Sequence, residues 1–239
     1  MKFIHTADIH LGAEPDAGSS YSTERPEELW NSFERLLDVC EEEQTDLLLV
    51  AGDLFHRQPL RKELKELDYL FSRLTHTQVV LMAGNHDYLK STSYYRNYPW
   101  QGPVHMFLSQ RPACMEFAEI GTCVYGLSYE QREITQPLYD AVRPQKRQPV
   151  EILLAHGGDE KHIPFRKNEL VKQGYDYIAL GHIHLPAELA KDRGIDTGSV
   201  LIITSDFHMT RAKYIARTLG IRVADGTSAQ HLGLRQVRR

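Results

Sequence analysis

One kind of place recurs along this sequence, and the residues found there can do chemistry. Asp8 and His10 follow "KFIH", Asp53 follows "LLLVAG", and Asn85 and His86 follow "VVLMAG". His156 closes "VEILLA", and His182 and His184 follow "DYIALG". In an extended segment residues i and i+2 share a face, so His182 and His184 aim at one point. Carboxylates, an amide oxygen and several imidazoles are too many ligands for one metal ion. They suit two divalent cations with a carboxylate between them. Two such cations, about 4 Å apart, clamp the attacking and leaving oxygens of an in-line phosphoryl displacement.

The elements that must present these residues are legible as apolar runs. "DLLLVAGD" and "QVVLMAGNHD" read as strands covered on both faces, and "VEILLAHGG" and "DYIALGHIH" are further apolar runs ending in Gly and His. Between them, Leu29, Trp30, Phe33, Leu36, Leu37 and Cys40 form a helical stripe with Pro26 in its first turn. Leu60, Leu64, Leu67, Phe71 and Leu74 mark a second helix. "MEFAEIGTCVYGLSY" reads as a hairpin around Gly121. This alternation predicts a layered α/β domain. In open α/β sheets the ligand site lies outside the carboxyl ends of the strands. The polar residues above all fall there.

The whole chain sets milder bounds. It has 239 residues and a net charge of −4, so no global basic field points to nucleic acid or an anionic membrane, and a local basic groove remains open. Three cysteines without metal-type spacing fit a reducing compartment. With no secretory-type start and no apolar stretch of membrane-spanning length, the expectation is a cytoplasmic protein without membrane contact.

The ordered set D-x-H, G-D, G-N-H-D, H and G-H-x-H resembles the calcineurin-like metallophosphoesterase superfamily. "MKFIHTADIHLG", "AGDLFHRQP" and "AGNHDY" resemble its SbcD/YhaO-like DNA-repair exonucleases, over residues 1–186. The resemblance implies an α/β fold, a layered metallophosphoesterase β-sandwich flanked by helices. It implies that Asp8, His10 and His184 bind one metal, that Asn85, His156 and His182 bind the second, and that Asp53 bridges them. His86 would assist the leaving oxygen, with Asp87 orienting it by accepting a hydrogen bond. Two Mn²⁺ ions are the implied cofactors. DNA is the implied substrate, and an SbcC/YhaN-like ATPase and a homodimer are the implied partnerships. A phosphoesterase for a nucleotide or another small phosphodiester is the alternative.

Beyond Pro186 the resemblance stops. "SVLIITSDFHMTRAKYIARTLGI", within 199–221, resembles the SanA/YdcF-like family, with Ser205, His208 and Arg211 in its anion-facing turn. The expected organisation is a phosphoesterase domain over 1–186 and a divergent tail over 187–239. In such a hybrid a foreign strand and helix replace the last native strands, activity could be impaired, and the ATPase partnership stays open only for contacts made outside the family's C-terminal region. His56 and Arg57, after the Asp53 turn, are candidates to face substrate. The aromatic cluster 94–100 could stack bases or pack as core. His5 reads as packing, and His76, His105 and His162 carry no motif.

Overall fold

The computed structural model describes residues 1–14, 18 and 25–182. The expectations for His184 and for the tail 187–239 lie outside the described residues. Each apolar run becomes a strand: β1 (Phe3–Thr6), β2 (Leu47–Ala51) and β3 (Gln78–Met82), followed by the short β4 (Val104–Met106). These four form one sheet in the order β1-β2-β3-β4, with every pairing parallel. The second sheet holds β5 (Ala113–Phe117), β6 (Thr122–Gly126), β7 (Val150–His156) and β8 (Tyr177–Gly181) in that order. Its β5–β6 hairpin is antiparallel and turns at Gly121, whose φ of 62° needs no Cβ accommodation. The pairs β6–β7 and β7–β8 are parallel.

Period-two alternation sorts the apolar side chains into layers. Leu47, Leu49 and Ala51 of β2 face Ile152 and Leu154 of β7, so the two sheets pack on each other. Leu48 and Val50 point the other way, into a core shared with helices α1 (Arg25–Glu42) and α2 (Arg61–Phe71). Leu153 and Ala155 of β7 face a third cluster with Tyr129, Tyr139 and Leu170, the last in helix α3 (Lys167–Val171). This double burial is why β2 and β7 read as unbroken apolar runs. The layered α/β sandwich flanked by helices is therefore present over the described residues. No helix among them is long and apolar enough to cross a membrane.

Strand β4 has no apolar signature in the sequence. It forms because β3 offers it a free edge, with Val104 opposite Val79 and Met106 opposite Leu81. The aromatic cluster behaves mainly as core. Tyr95 is buried, Tyr98 and Trp100 pack against the helix-side core, and Tyr94 is exposed.

Candidate metal centre

The first three strands end together and their loops continue the pairing. The Asp8 N–H donates to the Gly52 carbonyl at 3.1 Å, and the His10 N–H donates to the Asp53 carbonyl at 3.0 Å. Asp8, His10 and Asp53 have φ of 54°, 54° and 51°, and His182, just past β8, has 77°. Non-glycine residues held in the left-handed region cost on the order of 1–3 kcal/mol each, and such strain gathers at functional sites. Four candidate ligands therefore sit in conformations that packing alone does not favour.

The candidate ligand atoms converge in two overlapping groups. One atom from each of Asp8, His10 and Asp53 lies within 4.8 Å of the others, and the same holds for Asp53, His156 and His182. Asp53 belongs to both groups and is nearly inaccessible to solvent, at 1% exposure. The glycines around it are required by space. A Cβ on Gly84 would lie 2.2 Å from Asp53 Oδ1, and one on Gly52 would lie 2.4 Å from His156 Nδ1.

The fully buried His156 carries the clearest mark of a cation site. Its Nδ1–H donates to the Ala51 carbonyl at 2.8 Å. Its Nε2 faces Asn85 Oδ1 at 2.9 Å and Asp53 Oδ2 at 3.4 Å. Both of those oxygens are acceptors, so only a second ring proton or a bound cation satisfies all three groups. Burial opposes that second proton, but the hydrogen bond and charge of Asp53 outweigh it and raise His156 to about 9. Burial likewise opposes ionisation of Asp53, yet His156 holds it down at about 2. His10 is pushed down to about 4 by burial, against the pull of Asp53 and Asp8, and its Nδ1 is buried without a hydrogen-bond partner among the described residues. A neutral imidazole with an idle nitrogen beside two carboxylates fits a divalent cation.

His86 stands at the rim. Its backbone N–H donates to Asp53 Oδ1 at 2.8 Å, while its ring Nδ1–H donates to the His56 carbonyl at 3.0 Å. The rings of His10, His56 and His86 gather with centroids 4.8–5.3 Å apart. The expected hydrogen bond from His86 to Asp87 is corrected here. The Asp87 carboxylate is fully buried and accepts from Gly84 N–H at 2.8 Å, Tyr95 O–H at 3.1 Å and Phe55 N–H at 3.2 Å. It ties the β3 loop to the β2 loop and does not touch the His86 ring. Burial and the Asp53 charge push it up to about 7.

Other candidates resolve as follows. Arg57 makes a two-point ion pair with Glu63 at 2.7 and 2.9 Å, which braces the loop carrying His56. His5 bonds Tyr177 Oη at 3.2 Å, His76 pairs with Asp46, and His105 pairs with Gln78. Sequence reasoning does not single out Asp159 and His162 carries no motif, yet both stand directly against His182.

Comparison with known proteins agrees with this geometry. Residues 1–186 match the calcineurin-like phosphoesterase family, and the chain belongs to it. It is similar to a protein of Bacillus subtilis named "Uncharacterized metallophosphoesterase YhaO", at 33% identity over 77% of this chain and 48% of that protein. It is also similar to the "DNA double-strand break repair protein Mre11" of Methanopyrus kandleri, at 28% identity over 81% of this chain and 47% of the relative. The protein of the same name from Saccharolobus solfataricus is 27% identical over 90% of this chain and 56% of its own length. The chain spans about half the length of these curated relatives.

Proposed function

We propose that this chain is a two-metal phosphodiesterase that cleaves DNA at ends or breaks. The observation that supports it best is Asp53, a buried carboxylate shared by two groups of ligand atoms. In this reading Asp8 and His10, with His184, hold one cation. Asn85, His156 and His182 hold the other, and Asp53 spans both. Bound divalent cations, for which Mn²⁺ is proposed, supply an activated water and neutralise charge building on the phosphoryl oxygens. The donor set of imidazoles, carboxylates and one amide suits such an ion.

The chain's own groups do the rest. Asp53 Oδ1 accepts from the His86 N–H and so fixes the start of the loop that carries that imidazole. His86 donates a hydrogen bond from Nδ1–H to the His56 carbonyl, which turns Nε2 to the rim, where the protonated ring would give its Nε2 proton to the departing oxygen. Arg132 lies within electrostatic reach of His56 at the rim, beside the Arg57 that Glu63 pairs. Local cations of this kind can hold DNA phosphates.

DNA is favoured over smaller substrates by the relatives named for double-strand break repair. A small phosphodiester is the second reading, supported by the net charge of −4. Salt separates the two. Binding of DNA should weaken steeply between 50 and 200 mM salt, whereas a small ester should lose little. Equal, shallow salt dependence for both substrates would reject the DNA reading. A homodimer and an SbcC/YhaN-like ATPase partner, which rest on the family resemblance, and a cytoplasmic location, which rests on the cysteine usage, complete the proposal.

A further inference from the structure

The turn after β7 places a carboxylate against the first histidine after β8. Asp159 Oδ2 accepts from His182 Nε2–H at 2.6 Å, and the same carboxylate accepts from His162 Nδ1–H at 2.9 Å. Its other oxygen, Oδ1, accepts from the backbone N–H of Lys161 at 2.8 Å and of His162 at 3.0 Å. One oxygen therefore builds the turn and the other reaches His182. The turn itself depends on unusual backbone. Gly157 and Gly158 have φ of 131° and 123°, and Ile163 has 40°. A Cβ on Gly157 would lie 2.2 Å from the His162 carbonyl oxygen. The His162 and His182 rings lie 4.4 Å apart, so His162 closes the other side of the carboxylate.

An imidazole that ligates a metal through one nitrogen must carry its proton on the other. A carboxylate that accepts from Nε2–H therefore fixes the tautomer in which Nδ1 is the free lone pair. His182 also stands within ligand distance of Asp53 and His156. We propose that Asp159, held by its own turn and by His162, is a positioning residue that locks the tautomer and direction of His182 for the second cation. This rests on the two-metal reading above. It extends that reading to a residue with no place among the ligands.

Asp159→Asn tests the idea cleanly, because the amide keeps an oxygen for the turn and loses the acceptor for His182. In the metal-free protein, the ¹H–¹⁵N imidazole spectrum of His182, assigned with His182→Gln, should show the Nε2–H tautomer in wild type. In Asp159→Asn it should shift to mixed or Nδ1–H populations. Titration with Mn²⁺ alone should show one of two sites weakened by about 10–100-fold, as for outer partners of metal-binding histidines, and the other unchanged. Asp159→Glu should restore part of that affinity. An unchanged tautomer, wild-type affinity at both sites, or no second Mn²⁺ site in wild type would each overturn the proposal. Wild type that binds two Mn²⁺ ions but leaves DNA intact would reject the DNA reading while this assignment stands.

Discussion

His86 donates a hydrogen bond from Nδ1–H to the backbone carbonyl of His56, 3.0 Å away, and this bond sets the direction of its ring. Two strand-end loops are thus joined at the rim: the Asp53 loop supplies the acceptor and the Asn85 loop supplies the imidazole. His86→Gln should therefore lower phosphodiester cleavage by roughly 10²–10⁴-fold, the usual range for a proton-transferring side chain. Mn²⁺ titration of the same variant should still count two sites. A lost site would mean that His86 is a ligand.

In the proposed centre Asp53 is the residue that both cations share. Asp53→Ala should abolish high-affinity Mn²⁺ binding at both sites together, and catalysis with it. Calorimetric titration checks this. Retention of one tight site would show that the carboxylate serves a single cation.

Gly84 makes room for that carboxylate. Gly84→Ala would place a methyl 2.2 Å from Asp53 Oδ1 and 2.6 Å from the Asp53 backbone nitrogen. Neither atom can retreat, because Asp53 is buried and its loop is pinned by hydrogen bonds. Overpacking of this kind costs about 1–3 kcal/mol. Thermal unfolding should report the lower stability, and Mn²⁺ affinity should fall with it. A Gly84→Ala protein with unchanged melting temperature and affinity would contradict the packing.

Asp87 braces two loops through three buried hydrogen bonds. Asp87→Ala leaves the Gly84 N–H, Phe55 N–H and Tyr95 O–H without their acceptor. Loss of roughly 3 kcal/mol in denaturant unfolding is expected from stranded buried donors. Tyr95→Phe should cost less, because it removes a donor and leaves two satisfied.

His5 gives a pH signature to folding. Burial beside Tyr177 pushes it down to about 4, against the attraction of Asp8. Above pH 6.5 the ring is neutral in both folded and unfolded chains and costs nothing. As pH falls from 6.5 towards 4 the unfolded chain takes up a proton that the folded one refuses, so stability declines, by at most about 3 kcal/mol. Chemical denaturation of metal-free protein at pH 7.5 and pH 5 should show the drop, and His5→Gln should reduce it.

Much of this site could be read from residue order. Strands buried on both faces announce themselves as apolar runs, and the strand-end rule then collects Asp8, Asp53, Asn85, His156 and His182 without any coordinates. What stayed hidden depends on backbone conformation. Asp159 reaches His182 across 23 residues because glycine torsions at 157 and 158 fold the turn back towards β8. No spacing encodes that. The pairing of Asp87 with His86 is implied by the family resemblance alone, and in the structure the Asp87 carboxylate is buried and bonds Gly84, Phe55 and Tyr95 instead. Strand β4 escaped notice because three partly exposed residues carry no periodic signal, and only the edge of β3 makes them a strand.

The most direct measurement is Mn²⁺-dependent hydrolysis by the purified chain, run in parallel on linear double-stranded DNA and bis-p-nitrophenyl phosphate, with Asp53→Ala as control. Cleavage of both substrates, abolished by chelation and by the substitution, is the predicted result. Hydrolysis of neither substrate by protein loaded with two Mn²⁺ ions would contradict the two-metal phosphodiesterase reading.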